Sequence, residues 1–283
     1  MILGTAQLGL NYGISNKYGR PNFEQVREIL DTAYNNGIDI LDTAYAYGDS
    51  EKMIGMFAQQ KFSIISKLPD LSNIHCDEEY DLIGKFINET LSRTGQHQLY
   101  AYLLHSINNL SNNGKALWSK MLEFKEKGLF AKVGYSLYSP NQLDLYFDMY
   151  RPDIVQIPMN ILDREFQKTG WLKKLKENNV EIHVRSVFLQ GLLLAGHNYQ
   201  ILKFPSYEHI WTSFRDELHR SQLSALEYCF GFINGIQEVD HVVVGVNSVN
   251  ELLEVLKSFT VFKSCPQSLS CSDEKLIYPF NWK

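Results

Sequence analysis

The sequence predicts an α/β fold in which eight parallel strands and their helices close into one (β/α)8 TIM barrel, a single domain over residues 1–283. Three observations carry this expectation. Eight short apolar runs alternate with longer amphipathic stretches from one end to the other, the pattern of βαβ units. The chain has 283 residues, close to the roughly 250 typical of such a barrel. A doubly wound sheet, the rival architecture, needs a G-x-G-x-x-G turn after its first strand, and none stands there.

The elements follow in order. Ile2–Ala6 is the first predicted strand, and Asn22 precedes a helix over Glu24–Asn35 that ends near Gly37. Ile38–Leu41 is the second strand, followed by a helix from about Ser50, where Ser50 and Glu51 read as an N-cap with an acidic first turn. Phe62–Ser66 is the third strand with a helix over Asp77–Arg93, and Leu99–Leu104 the fourth with a helix over Lys115–Lys127. Ala131–Tyr135 is the fifth, and Pro140 opens the next helix at a position proline favours. Ile154–Ile157 is the sixth, with a helix near Trp171–Glu177. Glu181–Val187 is the seventh with a helix over Leu223–Phe232, and His241–Val244 the eighth with a last helix over Val249–Phe259. Two connections are read as long loops, Gln7 to Pro21 and Gly191 to about Arg220, which on a barrel usually build or cover the site.

Composition narrows the function classes. With 45% hydrophobic residues the chain can bury a full core without disulfides. A formal charge of −5 and no Lys/Arg block argue against nucleic acid or an anionic membrane as partner. No run approaches the ~20 apolar residues of a membrane span. Met1–Leu10 lacks the basic, then apolar, pattern of a signal peptide. Cys76, Cys229, Cys265 and Cys271 form no C-x-x-C pair and no zinc spacing, so reduced thiols and a cytoplasmic location are expected, with no metal site.

Active sites of such barrels lie at the C-terminal ends of the strands. The predicted strands bring Asp42, with Tyr47 in the following loop, then Lys67, His105, Ser136, Gln156, Arg185, Ser186 and Gly245 to that rim. An acid, a phenol, an amine and an imidazole thus converge, although a buried ion pair and hydrogen bonds to backbone would account for some of them structurally.

Seven segments, in order, make the pattern specific. Gly37-Ile-Asp-Ile-Leu-Asp-Thr-Ala-Tyr-Ala-Tyr-Gly-Asp-Ser-Glu51 is joined by Ile-Ile-Ser-Lys67, Tyr-Leu-Leu-His-Ser106 and Val-Gly-Tyr-Ser136. Asp-Ile-Val-Gln156 with Asn160-Ile-Leu-Asp-Arg164, Val187-Phe-Leu-Gln-Gly-Leu-Leu193 and Val-Gly-Val-Asn-Ser248 complete the set. Together they resemble the aldo-keto reductase superfamily along almost the whole chain. The resemblance implies an NAD(P)H-dependent oxidoreductase that reduces an aldehyde or ketone to an alcohol. In it Tyr47 is the general acid, Lys67 and Asp42 tune and hold that phenol, and His105 orients the carbonyl. It further implies cofactor contacts from Thr5, Ser136, Gln156, Arg185, Ser186, Phe188, Gln190, Gly191, Gly245, Asn247 and Ser248, with NADP(H) as the family habit and a small-molecule carbonyl or alcohol as substrate. A monomer is the common state in this family.

The chain departs from the family pattern at several points. The N-terminal hairpin that often plugs the barrel bottom has no counterpart before Ile2. Ser106-Ile107 replaces a frequent Trp-Pro, and Arg185 stands where many members stack an aromatic ring on the nicotinamide. Guanidinium is planar and can stack there, or can contact an anionic group of the substrate. The loop Gly245–Glu254 carries no Lys or Arg for an NADP 2′-phosphate, so NAD(H) is also allowed and Glu251 or Glu254 can contact a ribose hydroxyl or the adenine. Aromatic and polar residues at Tyr199, Tyr207, His197, His209 and Trp211 suit a polyol or sugar as well as a small aldehyde, and the resemblance of Arg185–Leu194 to barrel reductases of polysaccharide biosynthesis implies a keto-sugar. The tail Tyr278–Trp282 is either surface packing or pocket wall, and Asp39 and Asp163 are read as structural. Two rival functions remain open at this stage: a non-catalytic cofactor-binding sensor, and a Schiff-base lyase using Lys67.

Overall fold

The computed structural model describes residues 1–14, 16, 19–58, 61–71, 76–259 and 265–282, with backbone alone at 76–81 and 112. The strands are β1 (Ile2–Gly4), β2 (Ile40–Asp42), β3 (Ser63–Leu68), β4 (Leu99–Leu104), β5 (Phe130–Ser136), β6 (Ile154–Pro158), β7 (Glu181–Arg185) and β8 (His241–Gly245). Successive side chains of a strand point to opposite faces, and here both faces are apolar. Ile2, Ile40, Ile65, Ala101, Leu103 and Ile154 meet in one small cluster. Their neighbours Leu3, Leu41, Ile64, Tyr102, Val155 and Ile182 join a second, larger cluster with the helices. Strands buried on both faces favour an all-parallel sheet covered by crossovers. All eight pair in parallel in sequence order, and the sheet closes through β1 and β8, with Gly4 opposite both Asp42 and Gly245.

The helices are α1 (Ala6–Gly9), α2 (Phe23–Asn35), α3 (Ser50–Phe57), α4 (Cys76–Thr94), α5 (Leu110–Glu126), α6 (Asn141–Tyr146), α7 (Glu165–Lys168), α8 (Trp171–Glu177), α9 (His197–Lys203), α10 (Glu208–Ser221), α11 (Ala225–Asn234), α12 (Val249–Ser258) and α13 (Glu274–Ile277). In α2 the buried residues Val26, Ile29, Leu30 and Ala33 make one stripe at helical spacing. Its start is a capping box: the Asn22 side chain accepts the Gln25 N–H, and the Gln25 side chain accepts the Asn22 N–H. Ser224 and Glu227 repeat the device at α11.

Several boundaries differ from the sequence reading. β2 and β3 begin later than predicted, at Ile40 and Ser63. Pro140 sits just before α6 instead of inside it. Ser50 is not an N-cap; Asp49 holds that position without a side-chain bond to the helix backbone. The Ser50 hydroxyl is instead part of a buried relay, accepting from Thr43 Oγ1 (3.0 Å) and reaching Thr5 Oγ1 (2.7 Å), while Thr5 Oγ1 donates to the Asp42 carbonyl (3.0 Å). The stretch from Gly191 to Arg220 is no open loop but carries α9 and α10, because Ile210, Trp211 and Phe214 bury one face of α10. The first long connection begins with α1, and residues 15, 17 and 18 of it lie outside the described residues. Among the described residues there is no disulfide, and no helix is long and apolar enough to cross a membrane.

The two polar devices separate by their burial. Replacing Asn22 by Ala is expected to cost about 1 kcal/mol, a lost cap on a solvated helix end. Ser50→Ala strands the buried Thr43 hydroxyl and is expected to cost about 1–3 kcal/mol. Urea unfolding of both variants checks this order, and a neutral Ser50→Ala would show that the relay is not structural.

Candidate active site

The C-terminal ends of the strands open into a cavity of about 440 Å3. Asp42 ends β2 and Lys67 stands one residue from the end of β3, so both point into the barrel at its rim. Both are buried, Lys67 completely. The Lys67 ammonium donates to Asp42 Oδ1 (2.7 Å) and to the Thr43 carbonyl (2.8 Å). From β6, Gln156 Nε2 donates to the other carboxylate oxygen of Asp42 (2.7 Å). Each charge and each carboxylate oxygen is therefore matched, which a buried ion pair requires if it is to offset its desolvation.

Tyr47 lies above this pair. Its loop is held by close backbone approach: a Cβ at Gly9 would fall 1.7 Å from the Tyr47 carbonyl oxygen, and Gly48 adopts φ +58° with room only for hydrogen against Gly9. The Lys67 ammonium lies 5.1 Å from the Tyr47 ring centroid, and the His105 ring meets the same ring edge to face at 5.6 Å. Burial, then the Asp42 charge, pushes the Tyr47 phenol above its usual value, with Arg185 pulling the other way. The phenol is thus held as a proton donor. Burial, reinforced by the Lys67 and Arg185 charges, takes His105 down to about 4, so its imidazole is neutral at pH 7. Burial also lowers Lys67 despite the opposing pull of Asp42.

One cavity gathers most of the predicted residues. Thr5, Asp42, Tyr47, His105, Ser136, Gln156, Arg185, Ser186, Phe188, Gln190, Gly191, Gly245, Asn247, Glu251 and Glu254 all line it. Lys67 stands behind the wall and does not line it, and with its ammonium bound to Asp42 and Thr43 it presents no free amine for a Schiff base. Thr5 contributes wall, its hydroxyl being engaged with Ser50 and Asp42. Ser248 is not brought to the cavity: its hydroxyl accepts the Glu251 N–H (3.2 Å) as the N-cap of α12. The aromatic and polar residues of 197–211 are also absent from the lining, and Trp211 is wholly buried. The tail packs from outside, with Phe280 edge to face on Tyr138 at 5.2 Å and Trp282 on Phe204 at 5.1 Å.

The wall contributed by β7 is strained. Ser186, Leu189 and Gln190 adopt φ of 61°, 48° and 53°, and Gly191 follows at 94°. Asn160 holds the start of this turn, donating from Nδ2 to the Ser186 carbonyl (3.2 Å) while its Oδ1 accepts the N–H groups of Leu162 and Asp163. Arg185 donates to the Leu137 carbonyl (2.8 Å) and to Ser186 Oγ (3.2 Å) and lies over the Tyr138 ring at 4.7 Å. Across the cavity, Gly245 packs so closely on Gln7 that a Cβ would reach its amide at 2.2 Å. Asn247 Oδ1 is buried without a partner, an acceptor left for something else to meet. Gln7, Tyr12, Tyr138, Leu194, Leu226 and Val255 also line the cavity and are not among the residues selected from the sequence. None has a fixed spacing to a motif; Gln7 and Tyr138 follow strand ends, whereas Leu226 and Val255 reach the cavity from α11 and α12.

A family model described as Aldo/keto reductase family matches residues 1–274. Among curated proteins, Oxidoreductase sirO of Leptosphaeria maculans is 26% identical over 204 residues, 69% of this chain and 61% of that protein. The chloroplastic pyridoxal reductase of Arabidopsis thaliana is 28% identical over 134 residues, 42% of this chain and 37% of that protein. The chain thus matches less than two thirds of the length of either relative. Among solved structures, the holo form of aldo-keto reductase AKR11C1 from Bacillus halodurans superposes with a TM-score of 0.73 at 18% identity, covering 100% of this chain and 95% of that one. The thermostable aldo-keto reductase Tm1743, solved with the inhibitor epalrestat, gives 0.71 at 21% identity over 95% and 92%. At these identities the two structures speak for the fold, and the match over residues 1–274 places the chain in the aldo/keto reductase family.

Proposed function

We propose that the protein reduces an aldehyde or ketone to an alcohol at the cavity beneath Tyr47, with a nicotinamide dinucleotide as hydride donor. The observation that carries this reading is the stacking of a protonated phenol, a neutral imidazole and a buried, fully matched Lys67–Asp42 pair against one cavity. The cavity's own features suit the cofactor: the strained Ser186–Gly191 turn, the Gly245 wall and the orphan Asn247 Oδ1. When bound, the cofactor supplies the hydride. Ser136 and Gln156 would hold its amide end, Phe188, Gln190 and Gly191 its phosphates, and Gly245, Asn247, Glu251 and Glu254 its adenosine end.

Tyr47 donates its proton to the carbonyl oxygen as negative charge develops there. Lys67 is close enough to stabilise the phenolate that remains, and Asp42 with Gln156 keeps Lys67 in place. His105, neutral, donates a hydrogen bond to the same oxygen and orients it. Arg185 beside Tyr138 at the mouth suits a substrate with a polar or anionic substituent. A sensor that only bound cofactor would have no use for the protonated phenol against the ion pair.

Family habit points to NADP(H), with NAD(H) the alternative, and Glu251 favours the alternative in this chain. Its carboxylate accepts the Asn247 N–H (2.7 Å) and approaches the Asn247 side-chain amide (3.3 Å). The positive end of α12 is therefore already answered by an internal anion, and the lining residues of β8 and α12 include no Lys or Arg. A 2′-phosphate would meet like charge, whereas a carboxylate suits a ribose hydroxyl.

Three outcomes are expected. Tyr47→Phe retains cofactor binding, read by quenching of tryptophan fluorescence, but loses at least about a hundredfold in turnover, the span of one general acid; retained turnover would remove Tyr47 from its role. NADH binds at least as tightly as NADPH in the same titration, and Glu251→Gln tightens NADPH by about tenfold, the equivalent of 1.4 kcal/mol. Carbonyl reduction keeps a flat kcat/KM through neutrality and falls as pH drops through about 4, because protonation then puts a second cation on His105 beside Lys67 and Arg185; a limb at the ordinary histidine value near 6.5 would contradict that burial.

A further inference from the structure

At the end of the barrel opposite Tyr47, three ligand-type side chains converge where the proposed reductase reaction needs none. Glu181 and His183 are two apart on β7 and so share the inward face. His241 begins β8 and is the register partner of His183. One ligand atom from each of the three lies within 4.8 Å of the others. His183 is completely buried, Glu181 is 15% exposed and His241 31%, so the group is set into the barrel yet reachable from solvent. None of the three lines the upper cavity.

We propose that Glu181, His183 and His241 form a binding site for a first-row divalent metal ion of the zinc class. Two imidazoles and one carboxylate are a borderline donor set suited to zinc, nickel or copper, poorly suited to calcium or magnesium. The three leave a fourth position of a tetrahedron to water. Glu181 Oε1 lies 2.5 Å from His183 Nε2 and 4.0 Å from His241 Nε2. Donors on a tetrahedral zinc ion, each about 2.0–2.2 Å from the metal, stand roughly 3.3 Å apart. The two separations bracket that value, so side-chain shifts below about 1 Å would complete the site. Second contacts hold the carboxylate in place: the Tyr100 hydroxyl donates to it at 2.9 Å, and the Lys132 ammonium pairs with Oε2, leaving Oε1 facing the histidines. Such outer partners orient ligands in metal sites. His183 Nδ1 is buried with no partner, so the apoprotein offers this ring no second anchor. A bound ion would tie β7 to β8 at the start of both strands.

The test uses the untagged chain, since a histidine tag would bind the same ions. Equilibrium dialysis against Zn2+ should give about one equivalent per chain, and Co2+ should develop visible bands of a four-coordinate nitrogen and oxygen site without thiolate charge transfer. His241→Asn and Glu181→Gln should each weaken binding by roughly tenfold or more, since even loss of an outer-shell partner costs that much. Neither side chain reaches the upper cavity, so carbonyl reduction should be unchanged. In the wild-type chain, Zn2+ should protect His241 from acylation by diethyl pyrocarbonate, a reading that stands if a variant fails to fold. Absence of binding, equal binding by both variants, unprotected His241, or thiolate bands placing the ion on cysteine would each overturn the proposal.

Discussion

The Lys67–Asp42 pair is the constraint around which the upper barrel is organised. A lysine with no exposed surface and an aspartate nearly as buried are tolerable only if every polar atom is answered. The answers come from three separate strands: Asp42 from β2, Lys67 from β3 and Gln156 from β6, with Thr43 following β2. The pair therefore joins the neighbouring strands β2 and β3, and Gln156 ties β6 to them from across the barrel. A one-residue slip of β2, β3 or β6 would turn its member outward and leave the others buried and unmatched. Burial lowers Lys67 and the carboxylate opposes that shift, so the same contact that sets register also favours the charged amine beneath Tyr47.

Tyr47 depends on that pair but is placed by something else. The turn between β2 and α3 carries it, and that turn is set by backbone contact with α1 at Gly9 and by the hydroxyl relay of Thr43, Ser50 and Thr5. Ser50 is thus diverted from a capping role to bind the loop of a different strand. The phenol and the imidazole are shifted in opposite senses by one cause, burial, which disfavours the charged form of each. A neutral phenol and a neutral imidazole are both hydrogen-bond donors, the forms that an oxygen gaining negative charge requires.

Much of the fold was legible because its signals are local. Alternating apolar runs gave all eight strands, and Asn22 marked a helix start because a capping residue acts within four positions of chain. Asp42, Tyr47, Lys67 and His105 were legible because each sits at or just after a strand end, where chain order alone dictates the rim. What was not legible came from contacts between distant segments. α9 and α10 were read as one long connection whose aromatic residues suit a substrate, whereas Trp211 and Phe214 are spent on packing. Ser248 looked like a ligand of phosphate and proved to be a cap, a role with the same residue preference. Gln7 and Tyr12, from the connection after β1, and Tyr138, just after β5, lie on the cavity only because remote segments meet there.

The strained turn after β7 ties the cavity to the packing on the outside of the barrel. Residues with positive φ at Ser186, Leu189 and Gln190 cost free energy that local sequence does not return, since none of them is glycine. The turn persists because its apolar residues are anchored: Leu189, Leu192 and Leu193 are buried, and Phe188 meets Phe230 of α11 edge to face at 5.1 Å. Phe230 in turn packs on Phe259 beyond α12, the helix that carries Glu251 and Glu254. The wall from β7 and the wall from α12 are thus held against one another through α11, the helix with its own capping box and six buried residues in succession. Packing on the outside of the barrel is what keeps an unfavourable backbone facing the cavity, and weakening α11 would relax the cavity before it disturbed the ion pair on the other side of the barrel.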